Sequence, residues 1–178
     1  MPDVNAAEPP LVPATDFSVS VDLSTAGGEA LATALGLEPL DPEGGRFRRV
    51  YTGGSSTAIE FMVLAPDFSA MHRMRTSDEL FFHHAGAPLR MLLLDVPGGR
   101  EVVLGTDIGS GQVPMVVVPA GIWQGSSPDG PWSLVSTVVS PGFEWSDFEM
   151  ADTDGLIAEH PTAAARIREL THRTDPLH

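Results

Sequence analysis

The sequence has no cysteine and no lysine, and only one tyrosine. Without cysteine there can be no disulfides, thiolate nucleophiles, or sulfur-ligated zinc or iron–sulfur centres. Any metal would have to be held by histidine, carboxylate or amide oxygen. Without lysine, all ten cationic side chains are arginines, set against 24 acidic residues for a formal charge of -14. That balance repels phosphate backbones and anionic lipid, which excludes nucleic acid and membrane surfaces as expected partners. Long apolar runs are missing too. No stretch approaches the roughly 18 consecutive apolar residues of a membrane span, and the first ten residues are acidic and proline-bearing rather than basic and then apolar. The expectation is a cytoplasmic protein.

At 178 residues the chain is long enough for one domain with a sizeable core. Residues 1–15 contain Pro9, Pro10 and Pro13 without periodicity and are expected to form a flexible arm. In 28–36, Leu31 and Leu35 stand four apart among helix formers and Gly36 stands at a C-cap position, which predicts a short helix. From residue 46 to 148 the sequence turns to short apolar or alternating runs broken by Gly, Pro, Asp and Ser. Strands are expected at 46–52, 57–64, 80–84, 89–95, 101–104, 115–118 and 133–139, with Gly125, Ser126 and Ser127 read as a turn. So many short strands predict an all-β sandwich or barrel over 16–152. Helical spacing returns with Leu156, Ile157, Ala164, Ile167 and Leu170, so 153–178 is expected to form a helical tail packed outside the barrel.

Two motifs lie in the strand-rich block. His72-Arg73-Met74, four residues, Glu79, six residues and Gly86 resembles the first cupin motif, with Met74 in place of its second histidine. Pro119-Ala120-Gly121-Ile122-Trp123-Gln124 resembles the second, with Gln124 in place of its histidine. Longer stretches, among them Leu35 to Arg48, Ser77 to Leu80 and Ser140 to Glu149, are similar to a family of small single-domain cupins of unknown function. The resemblance implies a double-stranded β-helix, or jelly roll, with a homodimeric habit and structural kinship with sugar-nucleotide epimerases. The chain departs from the family pattern at Asp41 (usually His), Glu60 (usually Tyr) and Phe81-Phe82 (usually Trp-His). Asp41 and Glu60 are ionisable groups expected beside the cavity.

Strand parity puts Phe81 and His83 on the face of Glu79. The expected catalytic groups are His72, Glu79, His83 and Glu60. Arg48, Arg73, Phe81, Trp123 and Gln124 are expected to bind substrate, with Arg75, Phe61 and Trp132 as further candidates. Arg73 has a structural alternative, pairing with Asp78 or Glu79, and the acidic stretch 144–154 is read as a solvated face.

Three functions stay open. The first is acid/base epimerisation, isomerisation or cyclisation of a carbonyl-bearing sugar or secondary-metabolite intermediate. The second is a metal-dependent oxygenase, lyase or hydrolase holding Fe, Mn, Ni or Zn on His72, Glu79 and Gln124. The third is a non-catalytic small-molecule binding protein.

Overall fold

The structure, a computed structural model, describes residues 27–171. The expected arm at 1–15 and the tail beyond Thr171 lie outside the described residues. In chain order the elements are α1 (Gly28–Leu35), β1 (Glu38–Pro39), β2 (Arg46–Gly53), β3 (Ser56–Leu64), β4 (Ser69–Met74) and β5 (Asp78–Gly86). There follow β6 (Leu89–Leu93), β7 (Arg100–Leu104), β8 (Met115–Val118), β9 (Gln124–Pro128), β10 (Trp132–Ser140), β11 (Phe148–Met150), α2 (Thr153–Glu159) and α3 (Ala164–Glu169). None of these helices is long and apolar enough to cross a membrane.

The strands form two antiparallel sheets, ordered β1-β2-β3-β10-β5-β8 and β11-β4-β9-β6-β7. Binary patterning drives this arrangement. In β10 every second side chain is buried, so Ser133, Val135, Thr137 and Val139 face inward. The space between the sheets is packed at one end by Phe61, Val63, Phe81, Leu89, Met91, Leu93 and Val135. Towards the other end the inward positions become Thr57 and Ile59 on β3 and Thr137 and Val139 on β10, and there the interior opens into a cavity.

Each sheet has a helical cover. On the five-stranded sheet, Leu156, Ala163, Ile167 and Leu170 bury Met71, Leu92 and Leu94, the packing expected of the tail. On the six-stranded sheet, Leu31, Ala32 and Leu35 of α1 pack on Met62, with Leu64 and Trp132 alongside. α1 ends as its sequence predicts, with Gly36 in the left-handed region at φ 66° and its N–H donating to Ala32 and Thr33 carbonyls.

The sequence reading misses β4 and β9, the two strands that carry His72 and Gln124. Ser-Ala-Met-His-Arg-Met has no β-branched residue, and Gln-Gly-Ser-Ser-Pro looks like a turn. Residues 125–127 are instead a central strand, paired with β4 on one side and β6 on the other. Gly125 is needed there because a Cβ would meet the Met71 sulfur at 2.7 Å and the Ser69 carbonyl at 3.2 Å. Neighbouring strands, not the segment's own propensity, impose the extended form.

Ile167 is fully buried under the five-stranded sheet. Ile167→Ala is expected to lower unfolding free energy by roughly 2–5 kcal/mol, read by urea denaturation, whereas Arg168→Ala on the exposed side of α3 leaves it nearly unchanged. A loss below about 1 kcal/mol for Ile167→Ala would show that the helical cover contributes little to the fold.

Candidate functional site

The site is built on an irregularity in β4. Ser69 pairs with Ser126 and His72 with Gln124, so three steps on β4 oppose two on β9. The surplus residue lets both Ser69 and His72 face the interior. It also frees the backbone of Ala70 from the ladder. The Ala70 N–H donates to the carbonyl of Glu43 at 2.8 Å, and its carbonyl accepts from Nδ1 of His72 at 2.7 Å. With the proton fixed on Nδ1, Nε2 of His72 points towards Oε2 of Glu79 at 3.8 Å.

The two motifs meet through backbone contacts. The Gly121 N–H, at a positive-φ turn, donates to Met74 carbonyl at 2.7 Å, and the Ala120 N–H donates to Asp78 at 2.9 Å. Gln124 is thereby held so that its Nε2 donates to Glu79 Oε2 at 2.6 Å. Its Oε1 is buried without a hydrogen-bond partner. The first motif's glycine, Gly86, sits at φ 82°, where a Cβ would fall 2.5 Å from the Trp132 carbonyl oxygen.

Glu43 completes the group. It lies in a tight turn with Gly44 and Gly45 at φ 97° and 74°, which folds its carboxyl back so that Ser69 Oγ donates to it at 2.7 Å. Burial pushes the Glu43 carboxyl above its ordinary range, and Glu79 adds to this, against opposing effects of His72 and Ser69. For His72, burial alone would lower the pKa. The carboxyls of Glu43 and then Glu79 outweigh it and raise the imidazole to about 9. His72 also stacks on Phe148, ring centroids 5.2 Å apart.

These groups floor a cavity of about 130 Å³. Its walls are Leu40, Phe47, Ile59, Met74 and Val139, with Thr57 and Thr137 as hydroxyls; Phe143 and Phe148 and the exposed Arg49 and Trp145 complete the lining. The segment joining β10 to β11 carries Phe143 and Trp145, and Phe148 opens β11. The Phe143 N–H donates to Thr57 Oγ1 at 3.0 Å, and Trp145 meets Phe143 and Phe148 edge-on at 5.1 and 5.5 Å.

Of the residues expected at the site, His72, Glu79 and Gln124 converge and the others do not. Glu60 and Arg48 are register partners on the opposite face of β2 and β3, joined by an ion pair of 2.7 Å. Strand phase decides this, since Phe47, Arg49 and Ile59 take the inward positions. Asp41 is exposed, so neither ionisable departure from the family pattern reaches the cavity. His83 shares the face of Glu79, opposite Val135, but lies four residues further along, about 13 Å at ~3.3 Å per residue. Phe81, a core residue, stands between them, and His83 Nε2 contacts the Ala87 carbonyl at 3.1 Å.

Arg73 points to the helical side, where it holds Glu149 at 2.8 Å and lies 4.3 Å over Trp123. That removes both from the cavity, against their expected substrate-binding role, and Arg73 pairs with Glu149 instead of the alternative Asp78 or Glu79. Arg75 also reaches Glu149, at 3.6 Å. Phe61 is core, and Trp132 packs beside α1.

Glu43 and Arg49 escaped the sequence reading. The signal for Glu43 was the Pro-Glu-Gly-Gly turn, in which paired glycines allow a left-handed backbone. For Arg49 it was parity with Phe47.

Among the described residues no three His, Asp or Glu are grouped as metal ligands. The amide of Gln124 turns its NH₂, not its oxygen, towards Glu79. This donor set does not fit the expected metal on His72, Glu79 and Gln124.

The two facing antiparallel sheets, ordered β1-β2-β3-β10-β5-β8 and β11-β4-β9-β6-β7, enclose a polar group at one end, the architecture of a cupin jelly roll. The chain belongs to the Cupin superfamily (DUF985) family, whose model matches residues 29–151. A protein from Shewanella oneidensis is 31% identical, with a TM-score of 0.75 over 83% of this chain and 98% of its own. A hypothetical protein from Leishmania major is 28% identical, with a TM-score of 0.76 over 83% of this chain and 100% of its own. CapF, solved with the inhibitor 3-isopropenyl-tropolone, shares the fold at 14% identity and a TM-score of 0.51 over 64% of this chain and 33% of its own. No curated protein matches.

The raised His72 pKa has a stability consequence. Its folded value, about 9, lies above the 6.5 of an ordinary histidine. The stabilisation from the imidazolium is therefore complete below about pH 6.5 and is lost as pH rises through about 9. Unfolding free energy from urea titrations should fall between pH 7 and 9.5, and His72→Gln should flatten that slope. A wild-type stability that is level or rising across this window contradicts a buried imidazolium.

Proposed function

We propose that this cupin is a small-molecule enzyme that moves a proton at a carbon next to a carbonyl, in the manner of an isomerase, epimerase or cyclase. The observation that supports this reading is the group of buried His72 and Glu79 with half-buried Glu43, lining an otherwise apolar, ring-sized cavity. Its members differ in readiness. An imidazole with a pKa near 9 is protonated at neutral pH and acts as an acid, donating from Nε2 to a carbonyl or enolate oxygen. A carboxyl raised by burial can take a proton from carbon and return it. In this assignment Glu43 is the base, His72 is the acid, and Glu79, steadied by Gln124, keeps the imidazolium charged and in place. The apolar walls strengthen both interactions by excluding water.

Incubation in D₂O with a panel of 2-keto acids and keto-sugars, followed by NMR, tests the reading. Deuterium is expected at the carbon beside the carbonyl. Glu43→Gln and His72→Gln should each slow exchange by about 10²- to 10⁴-fold, while Glu60→Gln, on the outer face, leaves it unchanged. Exchange should survive EDTA, and strict dependence on a divalent ion would move the chemistry to a metal. Ligands that bind yet are recovered without deuterium would make the protein a binder.

A further inference from the structure

The cavity floor does not account for Arg49. In a chain of net charge -14, seven of the eight other described arginines are each held by a carboxylate: Arg46, Arg48, Arg73, Arg75, Arg90, Arg100 and Arg166; the eighth, Arg168, is exposed on α3, away from the cavity. Arg49 is in no ion pair among the described residues, although acidic side chains outnumber cations more than two to one. It lines the cavity with its guanidinium carbon 5.9 Å from the centre of the Phe143 ring. Strand phase puts it there, because it follows Phe47 on the inward face of β2 and its register partner is Ile59. A guanidinium left unpaired beside an apolar cavity keeps its forked donor set available for a planar oxyanion.

The remaining features fix the size and character of the occupant. The cavity, about 130 Å³, is close to the ~150 Å³ apolar cavity that takes up one benzene ring. Phe143, Trp145 and Phe148 line it, with Trp145 edge-on to the other two and 59% exposed. Glu43 and His72 line the same cavity.

We infer that the substrate is a single-ring carboxylate, its carboxylate held by Arg49 and its ring against Phe143 and Trp145, with the reacting carbon towards Glu43 and His72. This rests on the reading that the Glu43–His72–Glu79 cavity is the substrate site. It adds a substrate class, and Arg49 as the residue that selects it. The acidic total does not oppose an anion here, because the Arg49 guanidinium is in no ion pair among the described residues and lines the cavity.

The test uses inert probes, so that it reports selection without chemistry. Benzoate, phenylacetate and cinnamate are titrated against their primary amides, following tryptophan fluorescence with calorimetry as the second readout. Each acid is expected to bind at least about tenfold more tightly than its amide, with the preference weakening as salt rises. Arg49→Gln should abolish the preference and Arg49→Lys retain part of it. Equal binding of acid and amide to the wild type, no acid binding at millimolar concentration, or a preference that survives Arg49→Gln would each overturn the inference. His72→Gln should keep the acid preference. If it does while wild-type protein exchanges no deuterium into any carbonyl compound, the proton-transfer reading fails and the carboxylate site stands; the converse result separates them the other way.

Discussion

The site depends on the backbone of Ala70. Regular pairing of β4 with β9 would commit its N–H and carbonyl to the ladder. The extra residue between Ser69 and His72 turns both groups aside, one to the Glu43 carbonyl and the other to His72 Nδ1. A single irregularity thus anchors the turn carrying the carboxyl and orients the imidazole ring. The next residue serves the opposite side of the sheet, since the Met71 N–H donates to the Leu170 carbonyl and the Met71 carbonyl accepts from Ala151. The helical cover and the cavity floor are therefore tied to adjacent residues of one strand. The charge arrangement depends on this placement: an imidazolium can stay buried only because carboxyls approach it from two sides.

The fold was legible in the sequence where local pattern and tertiary demand agree. β10 alternates cleanly, α1 has its glycine cap, and Leu156, Ile167 and Leu170 recur at helical spacing, so these elements and their buried faces could be read directly. β4 and β9 could not. Their side chains were selected for what they do between two other strands, and the serine, glycine and histidine this requires carry little strand propensity.

The site was half legible for a related reason. His72, Glu79 and Gln124 stand in motifs of fixed spacing, which the turn contacts between Met74 and Gly121 and between Asp78 and Ala120 explain. Glu60 and Arg48 were misplaced by one step of strand phase, and in a strand one step exchanges interior for exterior. Glu43 lies in a turn, where no periodicity marks direction, and only the fold-back at Gly44 and Gly45 reveals where its carboxyl goes.

The surplus residue in β4 also determines what kind of change the strand can absorb. Ala70 acts through its peptide groups, and its methyl takes no part in holding Glu43 or His72. At this position the number of residues carries the information and their identity does not. A substitution that fits the space is silent, whereas loss of one residue restores a regular ladder, keeps His72 facing inward, and removes the two backbone contacts that orient the imidazole and the turn. Such a protein would fold and keep its motif residues in view while Glu43 and His72 lost their alignment.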